Sequence, residues 1–184
     1  MEGLILAAQE QALRTNAVKV KIYKTSDDSR CRLCKESDET VEHIICCCKK
    51  IAQTDYKERH NKVAAMLHWN ICKKFNFPVS KNWWDHKVEK VMESESVKIL
   101  WDFRIQTDKH LDHNTPDLTV IVNKKVWIIE VAIPGDSRVE EKQLEKILKY
   151  KDLQIEIERL WKKKTAVIPI IIDALGAIPK DLER

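Results

Sequence analysis

Two acidic residues lie in two apolar runs that are separated by a turn signal. The runs cover residues 117–122 and 126–131; Asp117 opens the first and Glu130 lies in the second. Both runs are rich in β-branched residues, which predicts adjacent strands of a hairpin. If residues 123 and 124 form a tight turn, continued pairing of the strands places Asp117 opposite Glu130.

The predicted pairing brings two carboxylates to the open end of an otherwise apolar hairpin. Directly opposed side chains lie on one face of a sheet, with Cβ atoms roughly 5 Å apart. Such a pair is costly to bury unless something compensates the charges, and a divalent cation that prefers hard oxygen ligands does so. The pattern therefore predicts metal-dependent cleavage of a phosphodiester. Two alternatives remain, in which Asp117 caps a turn or Glu130 pairs with Lys146.

A cysteine and histidine cluster forms the second chemical motif. Cys31 and Cys34 are separated by two residues, and His43 and a run of three cysteines, 46–48, follow. Thiolate and imidazole ligands at such spacing favour a structural zinc ion in a tetrahedral site. A disulfide is disfavoured in a reducing compartment. The spacing leaves the fourth ligand open among Cys46, Cys47 and Cys48.

The composition is that of an ordinary globular chain. Of its 184 residues, 43% are hydrophobic and 34% are charged, and the net charge is +4. No apolar run reaches the length of a membrane span, and the N-terminus lacks the pattern of a secretion signal. The positive charge suits a polyanionic partner. With only three glycines, a glycine-rich phosphate-binding loop is not expected.

The chain is predicted to fall into three segments. Residues 1–30 form an N-terminal helix and a polar connector, residues 31–77 hold the cysteine cluster and a helical linker, and residues 78–184 form an α/β domain. The apolar patterns predict the following elements: helices at 4–13, 51–75 and 138–163, and strands at 97–106, 117–122, 126–133 and 166–172.

Pro116-Asp117, Glu130 and the helix after them resemble the PD-(D/E)xK nuclease superfamily. With the upstream cysteine cluster, they look more closely like the C-terminal restriction-like endonuclease region of site-specific non-LTR retrotransposon proteins. The resemblance spans roughly residues 20 to 180. It rests on the order of zinc knuckle, helical linker and acidic pair. The His-x4-Cys ending of that family's knuckle selects Cys48 as the fourth zinc ligand.

The resemblance implies a restriction-endonuclease-like mixed sheet flanked by helices, with a small N-terminal CCHC zinc knuckle. It implies that Asp117 and Glu130 hold Mg²⁺ or Mn²⁺. The superfamily usually places a lysine two residues after the second acid, where this chain has Ala132. In the retrotransposon branch the lysine is displaced to the following helix, which matches Lys146, with Tyr150 one turn later.

Lys142 is the alternative to Lys146, and Asp102 or Asp108 is a candidate for a further acid. The resemblance also implies an endonuclease that nicks target DNA to prime reverse transcription. Its partner is DNA, with RNA as a second candidate and no membrane. It acts within a longer reverse transcriptase polyprotein that works in the nucleus after synthesis in the cytoplasm. The domain is expected to be truncated at its C-terminus. The competing interpretation is an inactive nucleic-acid-binding relic stabilised by zinc.

Overall fold

The computed structural model describes residues 2–135 and 139–177. These divide into two compact units. The first holds the described residues 2–59, 133–135, 139 and 172–177, and the second holds residues 60–132 and 140–171. Within these residues, no helix combines the length and the apolar character needed to cross a membrane.

The first unit is built from short helical pieces around the cysteine cluster. Thr15 begins α2 as its N-cap, because its hydroxyl accepts a hydrogen bond from the N–H of Val18 at 3.4 Å. The elements of this unit are α1 (Glu2–Gln9), α2 (Asn16–Val18) and three π-helical turns (Lys19–Tyr23, His43–Cys47 and Ala52–Tyr56). The helix α3 (Lys57–Lys74) starts at the end of this unit.

The second unit contains one mixed five-stranded sheet. Its order is β1 (Val91–Glu93), β2 (Val97–Trp101), β3 (Leu118–Val122), β4 (Lys125–Ala132) and β5 (Lys164–Ile171). The first four strands pair antiparallel, and β5 pairs parallel to β4. A parallel pair needs a crossover, and the helices α4 (Val139–Lys149) and α5 (Lys151–Trp161) lie in that connection. The sheet confirms the predicted mixed α/β class.

The β3–β4 hairpin forms in the predicted register. Val122 pairs with Lys125 and Leu118 pairs with Ile129. Asn123 takes a φ of 50° in the turn, a left-handed conformation that asparagine adopts more readily than most residues. The residues that follow outward from the last pair are Asp117 and Glu130, so the hairpin brings these acids to the same end.

Helices cover both faces of the sheet. On one face, Val126 and Ile128 pack with Leu153 and Ile157 of α5 in a fully buried cluster. On the other face, residues of β2 and β3 pack against Cys72 of α3. Alternate residues of each strand therefore face different helices, which is the pattern of a sheet buried on both sides.

Several predicted boundaries were wrong, each for a local reason. The helix predicted over 138–163 is two helices that meet at Tyr150, whose φ of −105° and ψ of 12° depart from helical values. The predicted start at 138 lies outside the described residues. The strand predicted over 97–106 ends at Trp101, because Asp102 takes a φ of 42°. The strand β1 was missed because it has only three residues. The three-segment division of the chain stays a prediction.

Removal of a core side chain tests the packing of α5 on the sheet. Ile128→Ala should lower the free energy of unfolding by about 2–5 kcal/mol, because Ile128 is fully buried and truncation leaves a cavity. Ile155→Ala is the matched control, since Ile155 is 49% exposed. Chemical denaturation of both variants measures the difference. Equal effects of the two substitutions would contradict the packing.

Candidate functional site

The end of the β3–β4 hairpin gathers charged side chains around Asp117. Its carboxylate Oδ2 accepts a hydrogen bond from the N–H of Val131 at 2.7 Å and lies 3.1 Å from Nε2 of His60. Burial is the largest single influence and opposes ionisation of Asp117, but the contacts with His60 and the Val131 N–H, together with the charge of Lys146, hold the pKa of Asp117 below its usual range. The hydrogen bond with Asp117 raises the pKa of His60. The pair therefore favours a carboxylate at Asp117.

Glu130 is the buried acid of the site. It is 3% exposed, and its Oε1 accepts hydrogen bonds from Nζ of Lys146 at 3.0 Å and from Nζ of Lys149 at 2.7 Å. Its Oε2 accepts a hydrogen bond from the N–H of Asp117 at 3.3 Å. The second carboxylate is thus compensated by two cations and ties the two strands together.

The two lysines come from one face of α4, because residues three apart in a helix are neighbours. Their side chains are 16% exposed at Lys146 and 27% exposed at Lys149. Lys146 therefore points toward the end of the sheet, as the displaced-lysine assignment requires. The contact also fits the alternative in which Glu130 is simply paired with Lys146, so geometry leaves both roles open.

Tyr150 lies at the junction of α4 and α5 and is 1% exposed. Its hydroxyl donates a hydrogen bond to the backbone oxygen of Thr115 at 3.0 Å. Burial, followed by the negative charge of Glu130, raises the pKa of Tyr150 strongly, so the phenol stays protonated. Its contact anchors the segment before Asp117. The predicted long helix breaks at this same residue.

Of the other residues that the sequence offered as candidates, two have partners outside the acid pair and one lies next to it. Lys142 pairs with Glu145 on α4 instead of reaching Glu130. Asp108 pairs with Arg159 at 2.8 Å and is exposed. Asp102 lies next to the site, since its N–H donates to the backbone oxygen of Asp117 at 2.9 Å.

Sequence reasoning missed two members of the site, His60 and Lys149. The signal for Lys149 was present, because it lies one helical turn from Lys146. His60 lies 57 residues before Asp117, and its spacing gave no signal.

The cysteine cluster converges in the first unit. The ligand atoms of Cys31, Cys34, His43 and Cys48 all lie within 4.8 Å of one another. Sγ of Cys31 is 4.0 Å from Sγ of Cys48, and Sγ of Cys34 is 3.3 Å from Nε2 of His43. Zinc–sulfur distances near 2.3 Å and zinc–nitrogen distances near 2.1 Å give tetrahedral edges of about 3.8 and 3.5 Å. These residues can therefore hold a metal such as zinc.

The electrostatics of the cluster suit a cation. Backbone N–H groups of Glu36 and Ser37 lower the pKa of Cys34 to about 6, which favours its thiolate at neutral pH. Burial raises the pKa of Cys48, so a metal must supply the charge that ionises this thiol. Cys46 and Cys47 lie outside the four-residue group, which includes Cys48.

A buried acid holds the loop around the cluster. Glu39 is fully buried and accepts hydrogen bonds from the N–H of Asn16 at 3.0 Å and of Arg32 at 2.8 Å. The Arg32 guanidinium also donates two hydrogen bonds to it, at 2.8 and 2.6 Å. These contacts fix the chain on both sides of Cys31.

Comparisons with protein-family models and with curated proteins find no match for this chain.

Loss of one thiolate tests the metal cluster. Cys48→Ser should weaken zinc retention at this cluster and destabilise the first unit, because it removes one of the three thiolates of a four-ligand site. Cys47→Ser, which alters a neighbouring cysteine outside the group, should retain the zinc. Zinc analysis of both purified variants after dialysis gives the measurement. Equal zinc content in the two variants would contradict the ligand assignment.

The pH dependence of the stability that Glu39 contributes is a separate test of the loop around the cysteine cluster. Its interactions with Arg32 lower the pKa of Glu39 to about 2 from a usual value of 4.5. A lowered pKa contributes stability above the unfolded value, and this stability is lost as pH falls toward 2. Glu39→Gln should cost about 1–3 kcal/mol at neutral pH, because the charged hydrogen bonds weaken.

The difference in unfolding free energy between wild type and Glu39→Gln should stay constant from pH 7 to about pH 5 and shrink below the usual glutamate pKa of 4.5. Denaturation of both proteins at each pH measures it. A difference that grows in acid would show that the ionised form of Glu39 is not what stabilises the loop.

Proposed function

We propose that this chain is a metal-dependent DNA endonuclease of the PD-(D/E)xK type. The proposal includes a restriction-endonuclease-like core and origin in a non-LTR retrotransposon protein. The observation that carries it is the hairpin end, where the N–H of Asp117 donates to Oε2 of Glu130 at 3.3 Å and Lys146 from the following helix reaches Oε1 of Glu130 at 3.0 Å. Two acids and one lysine in this arrangement match the requirements of phosphodiester hydrolysis.

The acids offer oxygen donors that suit Mg²⁺ or Mn²⁺. Among the described residues, both hydrogen bonds to the Asp117 carboxylate fall on Oδ2. The cation must compete with Lys146 and Lys149 for Glu130, whose Oε1 both lysines contact. Asp117 and Glu130 would hold the cation, which would orient water and stabilise charge on the phosphate oxygens.

The remaining residues have supporting roles in this proposal. Lys146 supplies a positive charge at the acid pair and can neutralise charge that develops on the phosphate. Lys149 can share that role. His60 holds the Asp117 carboxylate in place at 3.1 Å, and Tyr150 positions the segment before Asp117 through Thr115.

The proposed substrate is target DNA, nicked to prime reverse transcription. RNA is a second candidate partner because the knuckle and the net charge of +4 suit any polyanion. Within this proposal the chain works as part of a longer reverse transcriptase polyprotein in the nucleus, where its target lies.

A second candidate function is nucleic-acid binding without cleavage. One observation favours it: Glu130 is already paired with two lysines and Asp117 with His60, so the acids are compensated without any metal. Ala132, at the usual lysine position, cannot serve in catalysis. In this case the chain binds nucleic acid and does not cleave it.

Plasmid nicking distinguishes the two functions. The wild type should nick supercoiled plasmid with Mg²⁺ or Mn²⁺ but not with EDTA, and Asp117→Asn should abolish the nicking because it removes a metal-binding charge. Asp108→Asn is the control, since Asp108 is an exposed acid paired with Arg159. Plasmid binding without nicking under every metal condition would select the binding function. Nicking that persists in EDTA would contradict the proposed chemistry.

The lysine assignment has its own test. Lys146→Ala should lower the nicking rate about 100-fold or more while sparing the fold, because it removes the cation beside the acid pair. Lys142→Ala should have little effect, since Lys142 contacts Glu145 on the same helix. Nicking rates and circular dichroism of both variants provide the comparison. A larger loss of activity in Lys142→Ala would reverse the assignment.

A further inference from the structure

A second group of metal-ligand atoms lies in the second unit, apart from the cysteine cluster and the acid pair. His68 and Cys72 are fully buried, and His86 is half-buried. One ligand atom from each of the three lies within 4.8 Å of the others. Nδ1 of His68 is 2.8 Å from Nε2 of His86 and 3.5 Å from Sγ of Cys72.

Two elements bring these residues together. His68 and Cys72 are four residues apart on α3 and share one helical face. His86 follows the 3₁₀ turn Trp83–Asp85, and its N–H donates to the backbone oxygen of Trp83 at 3.2 Å. The loop before this turn is held to α3 by the indole of Trp69, which donates to the backbone oxygen of Ser80 at 2.9 Å.

Nδ1 of His68 lies close to two other ligand atoms, which is more than a single hydrogen bond requires. A neutral imidazole nitrogen is either a donor or an acceptor. Nδ1 of His68 nevertheless faces both Nε2 of His86 and the sulfur of Cys72. A tetrahedral zinc ion requires nitrogen–nitrogen and nitrogen–sulfur edges of about 3.3 and 3.5 Å. The nitrogen–sulfur distance already fits, and the two histidines need to separate by about 0.5 Å.

We propose that His68, Cys72 and His86 bind a zinc ion. Cys72 coordinates as its thiolate, and its proton is released to solvent. The carboxylate of Glu89 acts electrostatically on both Cys72 and His86, so the local charge also favours a cation. The ion joins α3 to the segment that leads into β1, beside the core cluster that contains Cys72 and β2.

The zinc content of the full chain tests this site. Wild type, purified with zinc and dialysed, should hold two zinc ions per chain by elemental analysis and native mass spectrometry: one at the cysteine cluster and one here. His86→Gln should hold one, since glutamine keeps a hydrogen-bonding side chain but removes the zinc ligand. Cys72→Ala should also hold one. His110→Gln, which changes an exposed histidine, should retain two.

The zinc content of one further variant and two contrary results complete the test. Asp117→Asn should retain two zinc ions, which separates this site from the acid pair and keeps the test independent of nuclease activity. One zinc ion in the wild type would overturn the proposal. Two ions in His86→Gln would also overturn it, because the second ion would then lie elsewhere. If Cys72→Ala fails to fold, His86→Gln alone decides.

Discussion

The buried carboxylate of Glu130 constrains the second unit more than any other group. A charge that is 3% exposed is tolerable only with partners, and the chain supplies two lysines from α4 and a backbone N–H from the opposite strand. Because these partners come from separate elements, the charge fixes α4 over the end of the sheet. Replacement of such a network by apolar residues often costs nothing in stability. We propose that this polar network belongs to the nuclease site.

The parts that could be predicted from sequence were those with a local physical cause. The hairpin was predictable because two β-branched runs flank a turn, and its register follows from the turn length alone. Spacing left the fourth ligand open among three neighbouring cysteines; the resemblance to the retrotransposon knuckle selected Cys48, which belongs to the converging group. The break at Tyr150 was not predictable, because residues 139–161 contain no glycine or proline to signal it. His60 and His86 come from distant segments with no repeating pattern, so only the fold brings them to their partners.

The two units are stabilised in different ways. The first unit has few buried apolar residues, and its cysteines form their own small cluster with Ile51 packed against it. The buried Glu39 network stabilises a unit of this kind, and a metal ion at the cysteine cluster would stabilise it further, since small domains rarely gain enough from a hydrophobic core. The second unit has apolar clusters on both faces of its sheet. It can therefore accommodate a cluster of charged side chains at one end of the sheet, where we propose the nuclease site.

Binding of Mn²⁺ to the full chain, followed by paramagnetic broadening in ¹H–¹⁵N NMR spectra, tests the central claim most directly. The account predicts that substoichiometric Mn²⁺ broadens the amide signals of Asp117, Glu130 and Val131 first, because the ion sits between the two carboxylates. Asp117→Asn should remove this broadening. Broadening confined to other parts of the chain, or its persistence in Asp117→Asn, would contradict the account. The acid pair would then serve only to hold α4 on the sheet.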